Sequence, residues 1–300
     1  MKVLVTGRDG QLARGLVETA GAGVQVTAIG RPELDVADET SVTAVIARER
    51  PDIVVNAAAY TAVDRAETEP AAAHAVNALG AEYVATACAA NAIPIIHIST
   101  DYVFDGTKDG PYVEDDPTAP INVYGRTKLE GEQRVAKACK RHLILRTAWV
   151  HSPWGVNFVK TMLRLATTRP NISVVDDQFG SPTYAPDLAK IVLAAAARVA
   201  ADPAGARWGV YHAGGSGETN WYGFAREVFK HAAEQGLPAA DVTAIPASEF
   251  PTTARRPANS RLNCDRLRLL LGLELPDWPA GVKDCVARLA KAGQGEGVAI

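Results

Sequence analysis

Short apolar runs alternate with longer mixed stretches through the first half of the chain. The runs Lys2–Thr6, Val24–Ile29, Asp52–Asn56, Pro94–Ile98 and His142–Thr147 are dominated by Val, Ile and Leu, as suits strands buried on both faces. Between them lie residues 10–20, 39–49, 66–90 and 123–138, rich in Ala, Leu, Glu and Arg and predicted helical. Such alternation predicts an α/β fold, a Rossmann-type doubly wound parallel sheet with helices on both sides. After Thr147 the pattern loosens. Gly, Pro, Ser and Trp punctuate residues 151–155, 179–182 and 251–257, and helices are predicted at 157–167, 186–199, 221–235 and 278–292. Residues 294–300 are expected to fray.

Composition narrows the function classes. The chain has 300 residues, 47% of them hydrophobic, and a formal net charge of −3, which argues against a nucleic-acid partner. No apolar stretch approaches the roughly 20 residues of a spanning helix, and the start runs directly into a strand without a signal-peptide core. The reading is a cytoplasmic protein with no membrane partner. Cys88, Cys139, Cys264 and Cys285 lack paired metal-ligand spacing, so idle or buried thiols and no metal are expected. No histidine has a metal-ligand neighbour at the right spacing either.

Two local patterns carry chemistry. Tyr124 and Lys128 stand four residues apart, about one helical turn, and project from one helix face. An ammonium beside a phenol favours the phenolate, so Lys128 is expected to lower the Tyr124 pKa and leave a proton donor for a carbonyl oxygen. An ordinary amphipathic pair has the same spacing. The second pattern is Gly7-Arg8-Asp9-Gly10-Gln11-Leu12-Ala13 between the first strand and the first helix. Glycines there let the backbone approach a pyrophosphate at the helix N-terminus. At the end of the second strand, where an NAD-type site expects a carboxylate, stands Arg31. A guanidinium suits a 2′-phosphate, which favours NADPH with NADH use left open; a solvated surface arginine is the plain alternative. Asp35 and Val36 are placed to meet the adenine, and the small residues after the third strand, Ala58 and Ala59 with Tyr60, to meet the nicotinamide half. These features assign residues 1–150 to dinucleotide binding. Residues 151–300 become a smaller, interleaved substrate-binding domain, with about 185–215 returning to the sheet.

Several further segments lie in collinear order: 56–64 around Asn56-Ala57-Ala58-Ala59, 99–106 beginning Ser99-Thr100-Asp101, 146–150 around Trp149, 177–183, and 256–262. Together with the two patterns above they resemble the extended short-chain dehydrogenase/reductase family over nearly the whole chain, in particular its nucleotide-ketosugar reductases. The resemblance implies reduction of the 4-keto group of dTDP-4-dehydro-L-rhamnose to dTDP-L-rhamnose by hydride from NADPH or NADH. It implies Tyr124 as proton donor to the sugar O4, Lys128 as holder of the nicotinamide ribose and Thr100 as a hydrogen-bonding partner of the carbonyl. Ile98 joins the cofactor contacts. Asp101, Tyr102 and Trp149 are expected at the sugar, Trp149 as an apolar plate or a hydrogen-bond donor. Asn157 and Lys160, with Arg256, Asn259, Ser260 and Arg261, are expected at the phosphates.

The chain departs from the family pattern in two places. Ala13 stands for the usual third glycine. Some members bridge a dimer with metal through a glutamate early in the first helix, where this chain has Ala13-Arg14-Gly15-Leu16 and then Glu18 a turn later. A monomer or weak homodimer without metal is therefore expected. Tyr102 occupies the place where a 4,6-dehydratase needs an acid. A reductase of another nucleotide 4-ketosugar, or a dinucleotide-binding regulatory subunit without turnover, remains as an alternative.

Overall fold

A computed structural model describes residues 1–296; the last four of the residues expected to fray lie outside the described residues. Six parallel strands form the central sheet: β1 (Lys2–Thr6), β2 (Gln25–Ile29), β3 (Ile53–Asn56), β4 (Ile95–Thr100), β5 (His142–Thr147) and β6 (Gly209–His212). Their order across the sheet is β2-β1-β3-β4-β5-β6. The chain reverses direction between β1 and β3, and such a switch point opens a crevice at the carboxyl ends of the strands.

Successive side chains of a strand point to opposite faces, and the two cores follow from that. Val3 and Val5 pack with Leu12 and Leu16 of α1 (Gln11–Thr19) and with Leu188 and Val192. Leu4, between them, packs with Val42 and Ile46 of α2 (Glu39–Glu49), Val84 of α3 (Gly80–Ala90) and Val135 of α4 (Val123–Ala138). A third core joins α5 (Phe158–Ala166), α7 (Trp221–Glu234) and α8 (Trp278–Glu296) through Val159, Phe224, Val228 and Val282. Between α5 and α7, α6 (Ala185–Ala201) lies against α1 and supplies Leu188 and Val192.

Asparagine starts three of these helices. Asn122 Oδ1 accepts from Gly125 N at 2.7 Å, Asn157 Oδ1 from Lys160 N at 3.2 Å and Asn220 Oδ1 from Gly223 N at 2.7 Å. The stretch expected as one helix over 66–90 is broken. Val63–Thr68 and Pro70–His74 are separate short helices, and a π turn at Ala75–Leu79 leads into α3. Pro70 cannot continue a preceding helix, which explains the first break. The π turn aims Asn77 at the neighbouring loop, where its side chain meets Tyr60 N (2.8 Å) and Thr127 Oγ1 (3.1 Å). The final helix runs to Glu296.

Candidate active site

The ends of β4 and α4 meet at the crevice. Asn122 starts α4 so that Tyr124, Lys128 and Glu132 form one stripe facing the sheet. Close contact needs Gly125, whose Cβ would lie 2.1 Å from Tyr102 O. Lys128 is 2% exposed, and its Nζ donates to Ile98 O at 2.7 Å. Burial pushes the ammonium down to about 8, while the nearby Glu132 carboxylate acts the other way. The Thr100 hydroxyl faces the Tyr124 phenol, donates to Asp101 Oδ1 at 2.8 Å and accepts from Tyr102 N at 3.2 Å. Asp101 is 2% exposed, and its Oδ2 has no hydrogen-bond partner among the described residues. Burial raises its carboxyl to about 6, with the Thr100 hydrogen bond and the nearby Ser260 hydroxyl acting the other way. Tyr102 sits edge-on to Tyr124, ring centroids 5.5 Å apart, and burial lifts its phenol far up.

One expectation is corrected here. Lys128 does not lower the Tyr124 pKa: burial pushes the phenol up to about 12, Thr100 counteracts in part, and the Asp101 charge adds to the rise. The reason is geometric. The ammonium is directed to the Ile98 carbonyl rather than to the phenol.

The dinucleotide loop has the form its glycines predict. Gly7 has φ +82°, and a Cβ there would come within 2.9 Å of Ala58 Cα. Gly10 caps α1 without a side-chain hydrogen bond, and the first turn holds no acid. The helix N-terminus therefore keeps unsatisfied amides and a positive end, with Gln11 and Leu12 opening it. Thr6 Oγ1 links β1 to β3, donating to Asn56 Oδ1 at 2.7 Å and accepting from Ala58 N at 3.1 Å. Arg8 donates to Glu33 Oε2 (3.1 Å) and Arg31 O (2.9 Å) beside exposed Asp9. The exposed Arg31 guanidinium bonds no described residue. Asp35 Oδ1 accepts from Ala37 N at 3.0 Å, and Val36 is core. Ala59 and Tyr60 are half-buried beyond β3, the Tyr60 hydroxyl donating to Glu69 Oε2 at 2.5 Å.

The residues expected at the phosphates are close by, but most of their polar atoms are spent. Asn157 caps α5, and its Nδ2 donates to Gln11 Oε1 (3.0 Å) and Ser152 O (2.8 Å). Asn259 Nδ2 donates to Lys108 O (2.6 Å) and Gly110 O (2.9 Å). Arg261 is held by Asn259 Oδ1 (2.8 Å) and Glu218 Oε1 (3.2 Å), and Arg256 by Asp64 Oδ2 (2.6 Å). Ser260 Oγ accepts from Trp149 Nε1 at 3.2 Å. Lys160, half-buried in the first turn of α5, keeps its ammonium without a partner among the described residues. Trp149 is half-buried, with one ring face covered. Trp221 stacks on one ring face at 3.6 Å, and the ring edge crowds Gly180. Glu18 is engaged as well, in a bidentate pair with Arg288 (2.7 Å to each oxygen).

Sequence reading missed Asn77 and the trio Ser99, Glu132 and Arg146. Glu132 had a signal, since it continues the Tyr124–Lys128 stripe by one turn. Asn77 had none, because a π turn leaves no pattern in residue types.

Parallel strands, a glycine loop at the first βα junction and the Thr100–Tyr124–Lys128 grouping define a dinucleotide-binding protein of the short-chain dehydrogenase/reductase class. Within that class the chain belongs to the family described as RmlD substrate binding domain, whose model matches residues 1–291. It is 47% identical over 294 residues to a dTDP-4-dehydrorhamnose reductase of Sinorhizobium fredii, covering 98% of this chain and 99% of that one. The enzyme of the same description from Escherichia coli K12 is 44% identical over 289 residues, covering 94% and 96%. A crystal structure of the Bacillus anthracis dTDP-4-dehydrorhamnose reductase in complex with NADP superposes with a TM-score of 0.88 at 36% identity, covering 96% of this chain and 99% of that one.

Proposed function

We propose that this protein reduces the 4-keto group of dTDP-4-dehydro-L-rhamnose to give dTDP-L-rhamnose, with NADPH as reductant. The observation that carries the reading is the Thr100–Tyr124–Lys128 corner at the carboxyl end of β4, with Thr100 and Lys128 buried and Tyr124 half-buried, in a chain whose relatives are reductases of that sugar nucleotide. The residues fit the cofactor. The uncapped α1 N-terminus suits its pyrophosphate, and the free Arg31 guanidinium suits a 2′-phosphate. Gly7, Arg8, Asp9, Gly10, Gln11 and Leu12 would hold the phosphates and Asp35 and Val36 the adenine side. Ala58, Ala59, Tyr60 and Ile98, with Tyr124 and Lys128, would hold the nicotinamide half. Bound NADPH supplies the hydride.

The chain's own part is placement and proton delivery. A phenol pushed up to about 12 keeps its proton at neutral pH, which a donor to the developing O4 oxyanion requires. The buried Lys128 ammonium lies one turn below, held on the Ile98 carbonyl, and would hold the nicotinamide ribose. Lys128 is charged below about pH 8, so kcat/KM falls as pH rises through that value. Thr100 holds the phenol in line and turns its proton from Asp101 to the carbonyl oxygen once substrate hydroxyls satisfy Asp101 Oδ2. Trp149 meets the sugar by an edge. Lys160 is the cation left for the diphosphate, while Asn157, Arg256, Asn259, Ser260 and Arg261 build the wall around it. Residues 1–150 with α6 and β6 then form the dinucleotide domain, and the rest of 151–300 the substrate domain. A monomer or weak homodimer in the cytoplasm completes the reading.

The test mixes purified protein with NADPH, then NADH, and freshly prepared dTDP-4-dehydro-L-rhamnose, following cofactor oxidation and identifying the sugar. One dTDP-L-rhamnose per NADPH oxidised supports the reading. Cofactor binding without oxidation would overturn it in favour of another ketosugar or a regulatory role.

A further inference from the structure

Glu132 is 4% exposed and continues the Tyr124–Lys128 stripe by one helical turn. Its carboxylate is fully engaged by the sheet. Ser99 Oγ donates to Oε1 at 2.5 Å, Arg146 Nε to Oε1 at 2.9 Å and Arg146 Nη2 to Oε2 at 2.7 Å. Ser99 and Arg146 are register partners across β4 and β5, so one carboxylate ties both strands to α4. The tie falls within the segment that makes the site. Ile98 takes the Lys128 ammonium, Ser99 takes Glu132, and Thr100 faces Tyr124. Beneath, Arg146 lies over the Phe104 ring, its guanidinium carbon 5.1 Å from the centroid.

A buried ion pair is a costly staple, because desolvation consumes most of its attraction and apolar packing would fasten the helix as well. Its charge has another use here. We propose that Glu132 is a positioning residue of the reductase site: it locks α4 to the ends of β4 and β5 and holds a negative charge beside Lys128, keeping that side chain an ammonium. This rests on the reductase reading above. The other groups facing Lys128 give it no such support. Tyr124 on the same helix is neutral, and His97 of β4 is kept neutral by burial. Arg146 of β5 is cationic and is paired with Glu132, while Glu114, whose backbone oxygen accepts from Arg146, pairs with Arg266. Removing the Glu132 charge leaves Arg146 uncompensated and makes the Lys128 proton easier to lose.

The test measures kcat, KM and NADPH affinity against pH for the wild type, Glu132→Gln and Ser99→Ala. Glu132→Gln should lower kcat about tenfold with a much smaller change in KM, and move the basic limb of kcat/KM down by about one pH unit. Ser99→Ala keeps both charges of the pair. It should lower kcat about threefold and leave the limb in place. A merely structural staple would lower the melting temperature without moving the limb. Folded Glu132→Gln with the wild-type limb overturns the proposal, and if that variant does not fold, a wild-type kcat in Ser99→Ala does so. The basic limb of NADPH affinity reads Lys128 without any ketosugar. A wild type that binds NADPH but does not turn over therefore overturns the reductase reading, while the binding limb of Glu132→Gln still decides the role of Glu132.

Discussion

Two polar clusters face the same crevice, and they differ in what their atoms already do. In residues 256–261 the long polar side chains are engaged within the fold: Asn259 on two backbone carbonyls, Arg256 on Asp64, and Arg261 on Glu218 and Asn259. At the ends of β4 and α4 the groups are instead held away from their ordinary states. Asp101 Oδ2 has no partner among the described residues, the Asp101 carboxyl is raised, and the Lys128 ammonium is depressed. Satisfied polar groups build walls; unsatisfied, desolvated ones are kept ready for a ligand and weaken the fold until it arrives. Residue type alone does not separate the two clusters, since both are rich in hydrogen-bonding side chains.

The contrast breaks first at Tyr124. Tyr124→Phe removes the only proton at that position and should lower kcat by a factor on the order of 10²–10⁴ with NADPH affinity kept, read by steady-state kinetics and a binding titration. At Asp101 the effect is on stability. A carboxyl raised from 3.8 to about 6 binds its proton more tightly in the folded chain. Stability therefore falls as pH rises from about 4 to about 6 and stays lower above, by about 3 kcal/mol. Asp101→Asn should accordingly melt higher than the wild type at pH 8, with the gap closing toward pH 4 in a series of thermal melts, even as turnover drops. Asn259→Ala should do the reverse. It leaves the Lys108 and Gly110 carbonyls without a donor and should lose about 2 kcal/mol of stability, with kcat within about threefold of wild type. The smallest effect is at the cofactor edge. Arg31→Ala should weaken NADPH about tenfold and leave NADH nearly unchanged; equal loss for both would remove Arg31 from the 2′-phosphate.

Much of the sheet was legible because its strands are uniform apolar runs. β1, β5, α2 and α4 have the predicted bounds, and the glycine loop stands where its spacing placed it. Residues 66–90 were misread as one helix because Ala-rich composition gives no sign of a π turn, although Pro70 marked a break. The short β6 carried too little pattern to be seen as a separate strand. In the site, Tyr124 and Lys128 share a face by helix geometry alone. Where the ammonium points depends on how close the Ile98 carbonyl lies, and only the packing of α4 on β4 determines that. The surroundings of Trp149 were illegible for a similar reason, since its stacking partner Trp221 lies 72 residues away in sequence and no local pattern joins them.

The most direct test sets Tyr124→Phe and Asn259→Ala side by side, measuring kcat with NADPH and dTDP-4-dehydro-L-rhamnose and the melting temperature of each. The account predicts crossed results: turnover all but lost at an unchanged melting temperature for Tyr124→Phe, and turnover kept at a melting temperature lower by several degrees for Asn259→Ala. Wild-type turnover in Tyr124→Phe, or a collapse of kcat in a folded Asn259→Ala, would contradict it.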